Sequence, residues 1–193
     1  MSDLGKMMAP IARRIGNMLA RGSVAAVNAA GKMQSLQLRL LADETKDSVE
    51  HFEPYGFTSN PKPGAEVLAA FLDGDRSHGI VVVVADRRYR LAGLASGEMA
   101  IHDDLGQKVH LTRDGIVIDG AGLPMVIQNA PTVTVKAAIK VRVESPLLEV
   151  TGEIKDRCDS SGVSMYSMRT TYNGHTHHEN DVHGNTNQPN QVM

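Results

Sequence analysis

The alternation of hydrophobic and polar positions divides the chain into three stretches. In the first, Leu4, Met7, Met8, Ile11, Ile15, Met18 and Leu19 recur in steps of three and four. That spacing predicts an amphipathic helix. Ser2 or Asp3 could cap it, and Pro10 should kink it or mark a second start. A methionine-rich stripe suits packing on the helix's own domain or docking to a partner. From Gly22 to Ser96 the pattern shifts to short β-like runs: Ser23–Asn28, Met33–Leu41, Ala65–Leu72, Gly79–Ala85 and Arg90–Ala95. Turn-forming clusters separate them, and only Ala65–Leu72 would also suit a short helix. Such a series predicts a small antiparallel barrel, of which the OB-fold is one type.

Beyond Gly97 helical periodicity almost disappears, and no convincing helix is expected from Asn129 to the end. Asp114-Gly115 lies between two alternating runs and signals a hairpin. Thr132–Glu144 is strictly alternating over thirteen residues, with Val133, Val135, Ala137, Ile139, Val141 and Val143 on one side. A strand of that pattern has one buried face. Few other strands remain to cover it, and a lone chain would expose the apolar row. Coverage by identical chains is the economical solution. Three of them around a threefold axis can wind as an intertwined β-prism.

Composition narrows the function classes. The 193 residues carry a net charge of −2, which argues against a nucleic-acid partner. Cys158 is the single cysteine, so no disulfide staples the chain internally. The N-terminus has Lys6, Arg13 and Arg14 but no continuous apolar core, so it does not read as a signal peptide. The longest apolar run, Gly79–Ala85, is too short to span a bilayer. These features predict synthesis as a soluble cytoplasmic chain. No nucleophile elbow, P-loop or dinucleotide-binding glycine motif occurs.

Histidine is the distinctive residue. Four of the eight, His175, His177, His178 and His183, fall in the last twenty positions. In extended chain, His175 and His177 project to the same side. If that side faces a threefold axis, three chains supply six imidazoles. That number suits an octahedral ion such as iron(II) better than zinc, which prefers four ligands in structural sites. Closed six-coordination leaves no position for a substrate, so such a metal would be structural. The alternative is a polar tail with solvated histidines. His178 and His183 read as surface or supporting groups. Asn173 could also face the axis. Glu179 and Asp181 are hard oxygen ligands that could contact calcium. A small metal-dependent hydrolase is a competing reading, but Glu179-Asn180 departs from His-x-His-x-Asp-His spacing. The ten residues after His183 also hold no further His, Cys, Asp or Glu. A third reading is an OB-type binding module with a disordered tail.

Three pieces of the sequence carry a family resemblance that covers essentially the whole chain. They are Gly97–Gln107 leading into Val109–Ile116, the alternating Val/Thr/Lys stretch, and Tyr172-Asn-Gly-His-Thr-His177 with Gly184-Asn-Thr-Asn-Gln-Pro-Asn-Gln191 at the end. Together they resemble the baseplate central spike of Mu-like contractile-tail phages, the baseplate assembly protein V family. The resemblance implies a mainly β homotrimer. It would comprise an N-terminal helical segment (1–21), an OB-like antiparallel barrel (22–96), an intertwined triple-stranded β-helix (97–171) and a metal-bound apex (172–193). It implies iron held by His175 and His177 of each chain, with calcium and chloride also associated with the apex. It further implies no enzymatic activity, a place in the virion tail baseplate after assembly in the host cytoplasm, and docking to tail hub proteins. The implied task is piercing of the host outer membrane on tail contraction.

Overall fold

The computed structural model describes residues 3–41, 44–180 and 183–193, with side chains from residue 7 onward in the first helix. It divides into two compact units, 1–128 and 129–193.

The first unit opens with helix α1 (Asp3–Asn17), which contains Pro10. Five strands follow: β1 (Leu19–Asn28), β2 (Gln34–Leu40), β3 (Thr45–His51), β4 (Glu66–Phe71) and β5 (Gly79–Ala85). They close into a barrel in the order β1-β2-β3-β5-β4. Five is the strand count of the OB-fold. The pairings are antiparallel except β3–β5, which run parallel where Glu50 meets Ile80 and His51 meets Val81. The expected antiparallel barrel thus closes through one parallel seam.

Alternation explains which side chains fill the barrel. On β2, Leu36, Leu38 and Leu40 point inward while Ser35, Gln37 and Arg39 do not. They meet Val24, Val49, Val67, Ala69, Phe71 and Val81 in one cluster. Small residues admit close approach. A β-carbon on Gly22 would lie 2.4 Å from the Arg39 carbonyl oxygen, and one on Gly79 would lie 2.7 Å from the Phe71 ring. β1 therefore crosses β2, and β5 crosses β4, closer than an alanine would permit. Of the run Gly79–Ala85 only Val81 is fully buried. A bulge skips Val82, which leaves Val82 and Val83 both exposed.

One expected strand is missing and one unexpected strand is present. Arg90–Ala95 forms no strand, because Gly93 at φ 79° turns the chain away from any partner. In the other direction, β3 escapes detection because Thr45-Lys-Asp-Ser-Val-Glu-His51 sends only Val49 and His51 inward. His51 is 6% exposed, and its Nδ1 lies 3.1 Å from Gln34 Oε1.

The unit ends in a three-stranded antiparallel meander, β6 (Met99–His102), β7 (Lys108–Leu111) and β8 (Ile116–Asp119). Asp114-Gly115 makes the β7–β8 turn, as its sequence predicts. Thr112 N–H donates to the Gly115 carbonyl at 2.8 Å.

The second unit contains helix α2 (Met165–Gly174), a correction to the expectation of no helix in this region. Its signals are at its ends: Ser164 Oγ accepts from Ser167 N–H at 3.1 Å, and Gly174 is the last residue. Its composition hides it, since Met165-Tyr-Ser-Met-Arg-Thr-Thr-Tyr-Asn-Gly lacks a clear apolar stripe and holds several poor helix formers. Residues 132–144 take no ladder partner among the described residues. Val133, Val135, Ile139, Val141 and Val143 are all exposed, Ile139 to 94%.

Candidate functional site

Two features lack an obvious role within a single chain: the apolar face of the β6–β8 sheet and the histidine-bearing terminus.

The sheet face follows from register. Met99 pairs with Leu111 and Ile101 with Val109, while Leu111 pairs with Ile116 and Val109 with Ile118. Partners in a ladder share a face, so six large apolar residues lie together in two rows. All six are open, from Val109 at 37% to Ile116 at 71%. Soluble chains rarely leave such a face uncovered. The opposite face carries His102, Lys108, His110 and Asp119. There Lys108 Nζ donates to Asp119 Oδ2 at 2.8 Å and holds its carboxyl below the usual range.

Glu98 pins this sheet to the preceding turn, with His110 beside it. His110 Nε2 lies 3.3 Å from Glu98 Oε2, and both side chains are largely shielded. Glu98 also accepts from the backbone N–H groups of Ala95 (2.9 Å) and Arg113 (3.1 Å). Those two donors, then the nearby His110, hold its carboxyl below its ordinary value. His110 is thereby shielded beside Glu98. His102 is exposed. On the barrel, Arg87 and Arg21 both bond the Glu66 carboxylate and lower its pKa, and Lys62 pairs with Asp104.

At the terminus, α2 stops at Gly174 and His175 adopts an extended conformation (φ −73°, ψ 147°). This backbone lets residues two apart come together. The rings of His175 and His177 lie 5.1 Å apart, edge to face. His175 Nδ1 lies 2.6 Å from the Tyr172 carbonyl, which can only accept, so the nitrogen facing it carries the proton. The other ring nitrogen of His175 is thereby left as the lone-pair donor. Fixing a ligand imidazole through its second nitrogen in this way is a common feature of metal sites. The pair thus fits a metal of the imidazole-binding kind.

The last residues fold back on this pair. His177 N–H donates to Thr186 Oγ1 (2.9 Å), and Thr186 N–H donates to the His177 carbonyl (2.8 Å). Glu179 N–H reaches the Gly184 carbonyl at 3.1 Å, and His178 bridges to Asn185. Met193 N–H donates to Asn173 Oδ1 at 2.9 Å, so Asn173 holds the final residue. His178 Nδ1 instead meets the Glu179 carbonyl at 2.8 Å, and His183 is exposed. Asp181, the candidate calcium contact, lies outside the described residues. Among the described residues no three His, Cys, Asp or Glu side chains converge as a metal group. One chain therefore offers two neighbouring imidazoles, too few on their own to enclose a metal ion.

A closed five-stranded barrel followed by a three-stranded meander defines a mainly β protein. Comparison with known sequences gives the family. Residues 21–88, nearly the whole barrel, match the family model described as the N-terminal part of bacteriophage Mu Gp45. The chain is 39% identical over 154 residues to the baseplate puncturing device gp45 of Escherichia phage Mu, covering 80% of this chain and 74% of that protein. It is 32% identical over 180 residues to the Mu-like prophage FluMu protein gp45 of Haemophilus influenzae, covering 93% and 96%. The chain belongs to the phage Mu Gp45 family of Mu-like baseplate spike proteins.

Proposed function

We propose that this chain is a structural, non-enzymatic component of a phage tail baseplate. Three copies would form its central spike, and the spike would pierce the host outer membrane when the tail contracts. The phage Mu relative's name, baseplate puncturing device, supports the role and the place in the virion tail. The observation that carries the reading from this chain is the pinned terminus. A needle point must not fray, and this end is tied back at Thr186 and at Asn173.

Three copies would bring the exposed apolar rows of the β6–β8 sheet and of residues 132–144 out of water, the latter as an intertwined triple-stranded β-helix. They would also bring His175 and His177 together as six imidazoles around one iron(II). The ion would link three chain ends. Calcium and chloride, with Asp181 as a candidate calcium contact, belong to the same proposal. Tail hub and other baseplate components would hold the spike in the tail.

Light scattering with metal analysis tests this reading. A trimer with about one iron per three chains is expected from two imidazoles per chain. A metal-free monomer would overturn it. His175→Ala combined with His177→Ala should remove the iron and leave the trimer assembled, because most of the apolar surface lies elsewhere.

A further inference from the structure

Asn173 is the one asparagine of the chain that is followed by glycine. In such a pair the glycine nitrogen can reach the asparagine side-chain carbonyl carbon and close a five-membered ring. Glycine permits this because it has no β-carbon to shield the nitrogen or to restrict the backbone. The pair is therefore a reactive point in the main chain, two residues before His175.

The fold restrains this pair in two ways. Asn173 and Gly174 are the last two residues of α2, and a helical N–H is committed to the carbonyl four residues back. The Asn173 carboxamide is also engaged at both of its polar atoms. Its Oδ1 accepts from Met193 N–H at 2.9 Å, and its Nδ2 donates to the Met193 carbonyl at 3.5 Å. The helical restraint is the weaker one, because the last turn of a helix opens at little cost and glycine is a poor helix former. The clasp from Met193 therefore governs how often Cγ is free to react.

We infer that Asn173 is a site of spontaneous deamidation whose rate is set by the Met193 clasp. The Gly174 nitrogen gives its proton to hydroxide and bonds Cγ. The Cγ–Nδ2 bond breaks, and ammonia leaves after taking a proton from water. Water then adds to either carbonyl of the ring and cleaves its bond to nitrogen, giving aspartate or isoaspartate at position 173. Either product places a new negative charge beside the paired histidines. Isoaspartate also lengthens the main chain between Tyr172 and His175, the spacing on which the 2.6 Å contact of His175 Nδ1 with the Tyr172 carbonyl depends. The site acts in a single chain, whatever the number of copies in the assembly.

Peptide mass spectrometry of the full chain aged in mildly alkaline buffer tests this, with the same chain aged in denaturant as reference. Position 173 should convert to both products, faster in denaturant than in the folded protein. Asn185 and Asn187, followed by Thr186 and Gln188, should stay largely intact. Met193→Pro removes the N–H that Oδ1 accepts, and the Met193 side chain is 70% exposed, so its loss opens no cavity. That variant should convert about fivefold faster when folded, the factor expected for one hydrogen bond. Adding Gly174→Ala should slow it again, since the space around Gly174 is open and the new β-carbon shields the nitrogen. No conversion at position 173 in denaturant would overturn the site. Equal folded rates in the parent and Met193→Pro, or a parent as fast folded as denatured, would overturn control by the clasp.

Discussion

His177 and Thr186 hold each other through two hydrogen bonds. The His177 N–H donates to Thr186 Oγ1 at 2.9 Å, and the Thr186 N–H donates to the His177 carbonyl at 2.8 Å. A histidine suited to ligating a metal is thereby tied to a residue nine positions later. The closing segment thus positions the His177 backbone.

Thr186→Val tests the side-chain half of that clasp. Valine keeps the shape and removes the acceptor, while the Thr186 backbone bond remains available. The loss should be about 1 kcal/mol, equivalent to roughly fivefold faster hydrogen exchange at the His177 amide. Amides in the barrel should be unchanged, since they belong to a separate unit. Unaltered exchange at His177 would mean that the backbone bond alone fixes this position.

The contact between Gly79 and Phe71 gives a second test. These residues pair across β4 and β5, and a β-carbon on Gly79 would enter the Phe71 ring at 2.7 Å. Phe71 is 1% exposed, so it has no free space into which to withdraw. Gly79→Ala should destabilise the barrel by about 1–3 kcal/mol, measured by chemical denaturation. Phe71→Leu destabilises by leaving a gap, but combined with Gly79→Ala it should cost less than the sum of the two. Strict additivity would show that the barrel moves backbone instead of ring.

Ile118 sits in the apolar rows of the β6–β8 sheet, paired with Val109 and 60% exposed in the single chain. Ile118→Asp should therefore leave the fold of the isolated chain intact, because the carboxylate stays in water. Within an assembly that covers this face it would bury an unpaired charge, which proteins strongly disfavour. Light scattering should show the mass falling from trimer to monomer, with barrel circular dichroism retained. A variant that remains trimeric would place the assembly interface elsewhere.

The parts of this architecture that were legible in the sequence are those where one chain solves its own burial problem. Leu36, Leu38 and Leu40 alternate because one face of β2 looks into the barrel, and the stripe of α1 follows helical spacing. The paired histidines were legible because an extended backbone puts residues two apart on one side. β3 was hidden because its inward positions are few and one of them is a histidine. Helix α2 was hidden because its evidence lies in its Ser164 cap and closing Gly174, with little in between. Thr132–Glu144 shows the opposite limit: a perfect strand pattern finds no ladder among the described residues, since alternation specifies a buried face but not whose surface buries it. Thr186 carried no signal at all, because its partner is a backbone N–H that any residue at 177 would supply.

The carboxylate of Glu98 predicts how the sheet responds to acid. It accepts backbone bonds from Ala95 and Arg113 and lies 3.3 Å from His110, and these contacts set its pKa below the ordinary 4.5. A carboxyl depressed in the folded state stabilises the fold fully above its unfolded value, and that contribution is lost as pH falls through the folded value. The loss should begin near pH 4.5 and deepen below it. Glu98→Gln keeps an acceptor oxygen for one of the backbone donors but cannot titrate. It should therefore be less stable than the parent at pH 7, and the gap should close as the pH is lowered below 4.5. Subtracting the two thermal-unfolding profiles isolates Glu98 from other depressed carboxylates, such as Glu66 and Asp119, which both proteins retain. A gap that stays constant from pH 7 to pH 3 would show that Glu98 holds the turn by shape alone and that its charge contributes nothing to the pin.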